Sequence, residues 1–175
     1  LADPDVAVVT SRVMTDGVPE QFYAMNGSLN PLGYNVMRVF TDLSRVFFAG
    51  GASLMFRREE IPQPFLPEYF LYHEDVYLSW RMRLMGRAIR MAQSSVVYHR
   101  GSATTRKQAS ATVTFYQERN RYLMLLKGLR WGSLLVLAPA LLLAEVVTWG
   151  YVLLGDRGHW RNKPAAYRYI IRRWR

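Results

Sequence analysis

The chain has 175 residues, half of them hydrophobic and 14% aromatic, enough for one domain of ordinary size with a sizeable core and too apolar for wholesale disorder. It has no cysteine, which excludes a disulfide scaffold, a thiolate zinc site, an iron–sulfur cluster and a cysteine nucleophile together. The net charge of +10 is unevenly placed: residues 1–99 carry 9 Arg/Lys against 10 Asp/Glu, a net of −1, while residues 100–175 carry 14 against 3, a net of +11.

The elements follow in chain order. Leu1–Val9 has no basic region and no long apolar run, so no signal peptide is expected, and the chain reads as a piece of a longer protein. Asp3-Pro4-Asp5 predicts a turn, and the β-branched run Val6–Thr10 a buried strand. Residues 15–35, rich in Gly, Asn and Pro, read as loop. Ala49-Gly50-Gly51-Ala52 reads as a loop entering a strand at Ser53–Phe56, ended by Arg57-Arg58-Glu59-Glu60. Pro62, Pro64 and Pro67 stiffen an extended loop. A helix is predicted from about Val76 to Met85, with Asp75 as N-cap and Gly86 as C-cap. Ala88–Met91 and Ser95–Tyr98 read as two short strands or one bent one. Alternating strands and helices favour an α/β domain over residues 1–110.

Residues 111–175 read as helical, apolar and basic. A helical pattern begins at Val113 and is expected to break at Gly132-Ser133. Leu134–Leu154 follows with one charge, Glu145, and is long enough to span a bilayer. A central carboxylate costs roughly 2.5–3.5 kcal/mol on insertion scales, and Pro139, Thr148 and Gly150 weaken the run further. The tail interleaves Arg157, Arg161, Lys163, Arg168, Arg172, Arg173 and Arg175 with Trp149, Tyr151, Trp160, Tyr167, Tyr169 and Trp174. Such a mixture suits the headgroup zone of an acidic membrane. Basic residues flanking both ends favour the cytoplasmic side, and in-plane or re-entrant burial over a single crossing. Nucleic-acid binding has no motif to support it.

Five segments together resemble the family 2 glycosyltransferases, the inverting GT-A type, and within them the rhamnosyltransferase-like members. Phe48-Ala49-Gly50-Gly51-Ala52-Ser53-Leu54-Met55-Phe56 is similar to their acceptor-side strand. Phe70-Leu71-Tyr72-His73-Glu74-Asp75-Val76-Tyr77-Leu78-Ser79-Trp80-Arg81 resembles their Glu-Asp segment, with Tyr77 where the family usually has Asp. Gly86 matches the glycine that closes the helix, Val96-Val97-Tyr98-His99 to Ser102 their histidine segment, and Glu118-Arg119-Asn120-Arg121 with Leu125-Leu126-Lys127 their late helix. The match covers about residues 1–130 and implies the C-terminal half of an incomplete, Rossmann-like GT-A domain followed by membrane-associated helices. Asp3-Pro4-Asp5 to Val9 matches the stretch after the family's metal-binding Asp-x-Asp, so Asp3 and Asp5 are not carried over as metal ligands.

The resemblance implies transfer of a sugar from a nucleotide-sugar donor to a hydroxyl of a cell-surface glycan or lipid-linked acceptor. Asp75 would be the general base: at a helix N-terminus the dipole favours its ionised form, ready to take the acceptor's proton. Plain N-capping is the structural alternative. Glu74 would orient the acceptor or, equally, pair with Arg81 or Arg57. His99 would ligate a divalent ion, Mn or Mg, that withdraws charge from the leaving diphosphate; its alternative is a half-buried histidine at a strand end. Gly50, Gly51 and Ala52 would let the substrate approach the backbone, or simply make a tight turn. Arg81 would meet phosphate and Tyr72 a sugar face, Trp80 fits the core, and Arg106 and Lys107 would form a lid or a solvated loop. His73 and His159 carry no expected role. The chain alone is expected to show no turnover. The competing reading is a non-catalytic module that docks a membrane or partner and keeps a degenerate remnant of the enzyme.

Overall fold

The structure is a computed structural model that describes residues 3–22, 28–36, 46–100, 110–154 and 160–173, with the backbone alone at 18–22 and 110. The chain divides into two compact units, one of Leu1–Leu29, Asn35–Phe70 and Glu74–Ala103, the other of Asn30–Tyr34, Leu71–His73 and Thr104–Arg175. The architecture is mixed α/β, with a small mixed sheet and C-terminal helices.

The first unit is organised by one long strand, β1 (Val6–Thr15). Its β-branched residues suit a pleated surface covered by packing, and Val6, Ala7, Val8, Val13 and Met14 are buried. β6 (Ala88–His99) runs parallel to β1 along its whole length. β5 (Leu54–Phe56) pairs antiparallel with Val8–Thr10, and β2 (Val18–Phe22) antiparallel with the end of β1. The two candidate strands after Gly86 are thus one strand, interrupted where the register jumps from Ser11↔Ala92 to Arg12↔Val96. A two-stranded pair, β3 (Ser28–Leu29) with β4 (Asn35–Val36), completes the strands described.

The loop expected over 15–35 is corrected: β1 reaches Thr15, and β2, β3 and the start of β4 fall inside the range. The signal was Asp16-Gly17. Gly17 has φ +82, and Thr15 pairs with Val18 across the two residues, so an Asp-Gly hairpin turn closes β1 onto β2. Asp3 makes the turn expected of it: its Oδ1 accepts from the Asp5 amide at 2.9 Å.

α1 (Glu74–Leu84) begins one residue before Asp75, which therefore lies in the first turn and not at the N-cap. It ends as expected at Gly86, where φ is +77 and the Gly86 and Arg87 amides donate to the Arg83 and Met82 carbonyls at 3.0 and 2.9 Å. Leu78 and Met82 of α1 join Ala7, Val8, Val46, Ala49, Ile61, Ile89 and Met91 in one core, with Leu54 and Phe56 against it. Full burial of each large aliphatic side chain is worth about 1.5–3 kcal/mol.

The second unit is built on α2 (Ser110–Gly128), α3 (Trp131–Leu154) and α4 (Asn162–Arg173). The helical break falls at Leu129-Arg130, and Gly132 and Ser133 lie inside α3. α4 forms where the tail gave only a compositional reading; Pro164 is tolerated because first-turn amides need no intrahelical partner. α3 is long and apolar enough to cross a membrane by length and composition. Leu135, Val136, Leu142, Leu143, Val146 and Val147 are all exposed on it.

Glu145 faces the other way. Its Oε1 lies 3.3 Å from Arg121 and its Oε2 3.0 Å from Lys163, and the Tyr167 hydroxyl donates to it. Glu118 reaches the same two cations at 3.2 and 3.5 Å. The Arg121 and Lys163 side chains are each only 2% exposed, so two buried cations sit against two carboxylates.

Glu145→Ala leaves Arg121 and Lys163 with one carboxylate between them and should cost about 3 kcal/mol or more, read from the denaturant midpoint. Gly33 has φ +80, and a Cβ there would meet Arg121 Cγ at 2.9 Å and Leu125 Cγ at 3.3 Å. Gly33→Ala should therefore cost about 2–3 kcal/mol, against about 1 kcal/mol for Gly17→Ala, where the space is open.

Candidate functional site

The site begins at the turn before β5. The Ser53 amide donates to the Gly50 carbonyl at 3.1 Å, bending the chain at Gly51-Ala52. The bend is fixed from below by α1: Ser79, fully buried, accepts the Ala49 amide at 3.0 Å. Gly50 is buried and Gly51 exposed. The tight-turn reading of Gly50-Gly51-Ala52 is thus realised, and it presents the Gly51 amide to α1.

Asp75 receives that amide. Gly51 N donates to Asp75 Oδ2 at 2.7 Å, and Val76 N to Asp75 Oδ1 at 2.7 Å. Asp75 as a whole is 7% exposed. Burial pushes its pKa above the usual carboxylate range, and the amides of Gly51, Val76 and Asp75 itself pull against that by favouring the anion. This burial works against the helix dipole, which favours the ionised form.

Glu74 sits beside it, half-buried, with Oε2 enclosed and without a hydrogen-bond partner among the described residues. A Cβ built on Gly51 would lie 3.6 Å from Asp75 Oδ2 and 3.8 Å from Glu74 Oε1, so both carboxyls border this one glycine. Burial raises Glu74 to about 7, and the neighbouring Asp75 charge adds to the rise. Two carboxyls sharing a poorly hydrated corner resist double ionisation.

Other expected residues stand elsewhere. Arg81 does not reach for Glu74: its Nη1 donates to the carbonyls of Gln63 at 3.0 Å and Pro64 at 3.5 Å. Arg57 is bonded to the Val6 and Asp3 carbonyls and to Glu60. Trp80 meets Phe47 edge-on at 6.5 Å. Tyr77 is buried and stacked on Tyr69 with ring centroids 4.6 Å apart, so this position of α1 makes an aromatic contact. His99 ends β6 opposite Thr15, and its carbonyl accepts from the Asp16 amide at 3.1 Å. Among the described residues no three His, Asp or Glu side chains gather to hold a metal ion, so His99 offers one donor and no complete set. Arg106, Lys107 and His159 lie outside the described residues.

Tyr72 and His73 belong to the second unit. Both have φ 64, a left-handed conformation that is costly for residues with side chains. Asn120, fully buried on α2, donates to the Leu71 and Tyr72 carbonyls at 2.8 and 2.7 Å and holds the bend. Nothing local in the Arg119-Asn120-Arg121 run reports this role, because its partners lie 48 and 49 positions away. Burial holds His73 down, to about 4.

No family model, curated protein or solved structure matches the chain.

The Glu74 assignment is testable through stability. A carboxyl raised from 4.5 to about 7 binds its proton more tightly in the folded than in the unfolded chain. Stability from this group is therefore intact below pH 4.5 and is lost as pH rises toward 7. Glu74→Gln should match the parent chain at pH 5 and melt higher at pH 8, by about 1 kcal/mol once partial exposure is discounted. Equal melting shifts at both pH values would refute the assignment.

Proposed function

We propose that the chain is part of an inverting glycosyltransferase of the family 2, GT-A type, rhamnosyltransferase-like, acting at the cytoplasmic face of a membrane. It moves a sugar from a nucleotide-sugar donor to a hydroxyl of a cell-surface glycan or lipid-linked acceptor. The observation that carries the reading is the carboxyl pair at Gly51: Asp75 fixed by two amides, and Glu74 beside it with an enclosed, unpartnered oxygen. Buried carboxyls with displaced pKa values concentrate at functional sites.

The roles follow from the partners. The proton shared by the pair resides on Glu74, whose enclosed Oε2 has no hydrogen-bond partner among the described residues. Asp75, with the Gly51 and Val76 amides, carries the negative charge. As the acceptor oxygen attacks the anomeric carbon, its O–H proton passes to Asp75 while the bond from that carbon to the diphosphate breaks. One displacement inverts the anomeric centre. The exposed Gly51 leaves the approach to both carboxyls free of a side chain. Protonated Glu74 donates to an acceptor oxygen and orients it. A divalent ion at the diphosphate would take His99 as one ligand and the rest from outside the described residues. α3, with its exposed aliphatic side chains, sits in an acidic membrane surface, spanning it or lying in its plane.

A second reading is favoured by two observations. Tyr77 is stacked on Tyr69, and Arg81 is committed to backbone carbonyls, as in a remnant kept for docking. Substitution separates them. In the full-length protein, Asp75→Asn should lower kcat by about 10²–10⁴ with the donor KM little changed, and Glu74→Gln should lower it far less. Undiminished sugar transfer by Asp75→Asn would establish the docking reading.

A further inference from the structure

Between α2 and α4 lies a cavity of about 370 Å³ lined by Phe115, Ala165, Arg168, Tyr169, Arg172 and Arg173. Three of its six lining residues are arginines and none is acidic. Arg168, Arg172 and Arg173 are exposed, and no ion pair or hydrogen bond engages them among the described residues. The contrast with the rest of the unit is sharp: Lys163 and Arg121 are each paired with two carboxylates. Arg168 and Arg172 are four residues apart on one helix, a like-charge spacing that destabilises a helix by roughly 0.2–0.5 kcal/mol unless an anion bridges it.

The apolar walls are held in place. Arg119, buried on α2, stacks its guanidinium over Phe115 at 5.5 Å, Tyr116 at 4.7 Å and Tyr169 at 4.4 Å. It fixes two rings of the cavity and adds a fourth positive charge behind them. Guanidinium groups match phosphate oxygens in fork geometry, and ring walls match hydrocarbon.

We propose that this cavity binds the phosphate of an anionic lipid: the arginines of α4 grip the phosphate, and Phe115 and Tyr169 receive the first carbons of the chain it is esterified to. The inference rests on the membrane reading of α3 and is independent of the sugar-transfer chemistry. Phosphate esters also exist as soluble diphosphates, and the test separates the two sources.

The full chain, purified in mild detergent, is floated with vesicles of phosphatidylcholine alone or of phosphatidylcholine with phosphatidylglycerol at 4:1. The triple variant Arg168→Gln, Arg172→Gln, Arg173→Gln is compared with a charge-matched control, Arg58→Gln, Arg90→Gln, Arg130→Gln. Attachment to pure phosphatidylcholine reports α3 and should be alike in all three proteins; its absence in all three would sink the membrane reading and this proposal with it. On the anionic vesicles the cavity variant should lose about tenfold or more relative to the control. Lysine at the same three positions keeps the charge without the fork and should restore only part of that loss. An equal loss in the control would overturn the proposal in favour of diffuse attraction. Pyrophosphate binding to the vesicle-free protein that the cavity variant loses, with attachment to the anionic vesicles equal in the cavity variant and the control, would overturn the lipid source in favour of a soluble diphosphate.

Discussion

The hydrogen bond from the Gly51 amide to Asp75 joins the parts of the first unit that a site would require. It crosses from the turn before β5 to the first turn of α1, spanning 24 positions of sequence at 2.7 Å. Because Asp75 is buried, this bond and the one from Val76 are what keep its charge tolerable. The bond also explains a glycine. Gly51 is not needed for an unusual dihedral, and a methyl group there would make only ordinary contacts. Its value is that the amide approaches a carboxylate with no side chain crowding either carboxyl. Ser79, one helical turn further along α1, performs the same office for the Ala49 amide. The loop is thus pinned twice to one helix, and the helix in turn is pinned by Leu78 and Met82 in the core.

The second unit solves the same physical problem in the opposite way. Its acidic residue in an apolar helix, Glu145, would cost several kcal/mol if left alone in a low-dielectric setting. It is met by Arg121 from α2 and by Lys163 and Tyr167 from α4. This one side chain therefore fixes which face of α3 turns inward, and the aliphatic residues on the other face are left outward. The pairing also gives α4 a reason to exist: an isolated twelve-residue basic helix is marginal in water, and Lys163, Ala166 and Ile170 bury it.

How much of this was legible in the sequence depends on range. Local signals were reliable where one residue type had one job: Gly86 ended α1, Asp3 made its turn, and the β-branched run at Val6 made a strand. Asp16-Gly17 is as legible as these, but the Gly, Asn and Pro content of 15–35 masks a two-residue turn signal. The Glu74-Asp75 pair is visible in the sequence as two adjacent acids before a helix, where the helix dipole is the one electrostatic influence a local pattern reports. Burial, which works against the dipole, comes from residues far away in sequence, and no local pattern reports it. Asn120, Lys163 and Glu145 were illegible for the same reason. Each matters through a partner 18 to 49 positions away, and periodicity says which face a residue shares but not what stands opposite.

Among the described residues the carboxylates differ in what compensates them. Glu145 and Glu118 are each shared by two cations, and Glu60 is paired with Arg57 and Arg87. Those carboxylates are compensated as structural charges are expected to be. Among the described residues Asp75 is compensated by amides, and the enclosed Oε2 of Glu74 has no hydrogen-bond partner. A fold under selection for stability alone has inexpensive alternatives at Glu74, glutamine among them, which would remove the like-charge conflict with Asp75. Keeping two carboxyls at one exposed glycine sacrifices stability near neutral pH, and a corner of that kind makes chemical sense as a place where a proton is exchanged.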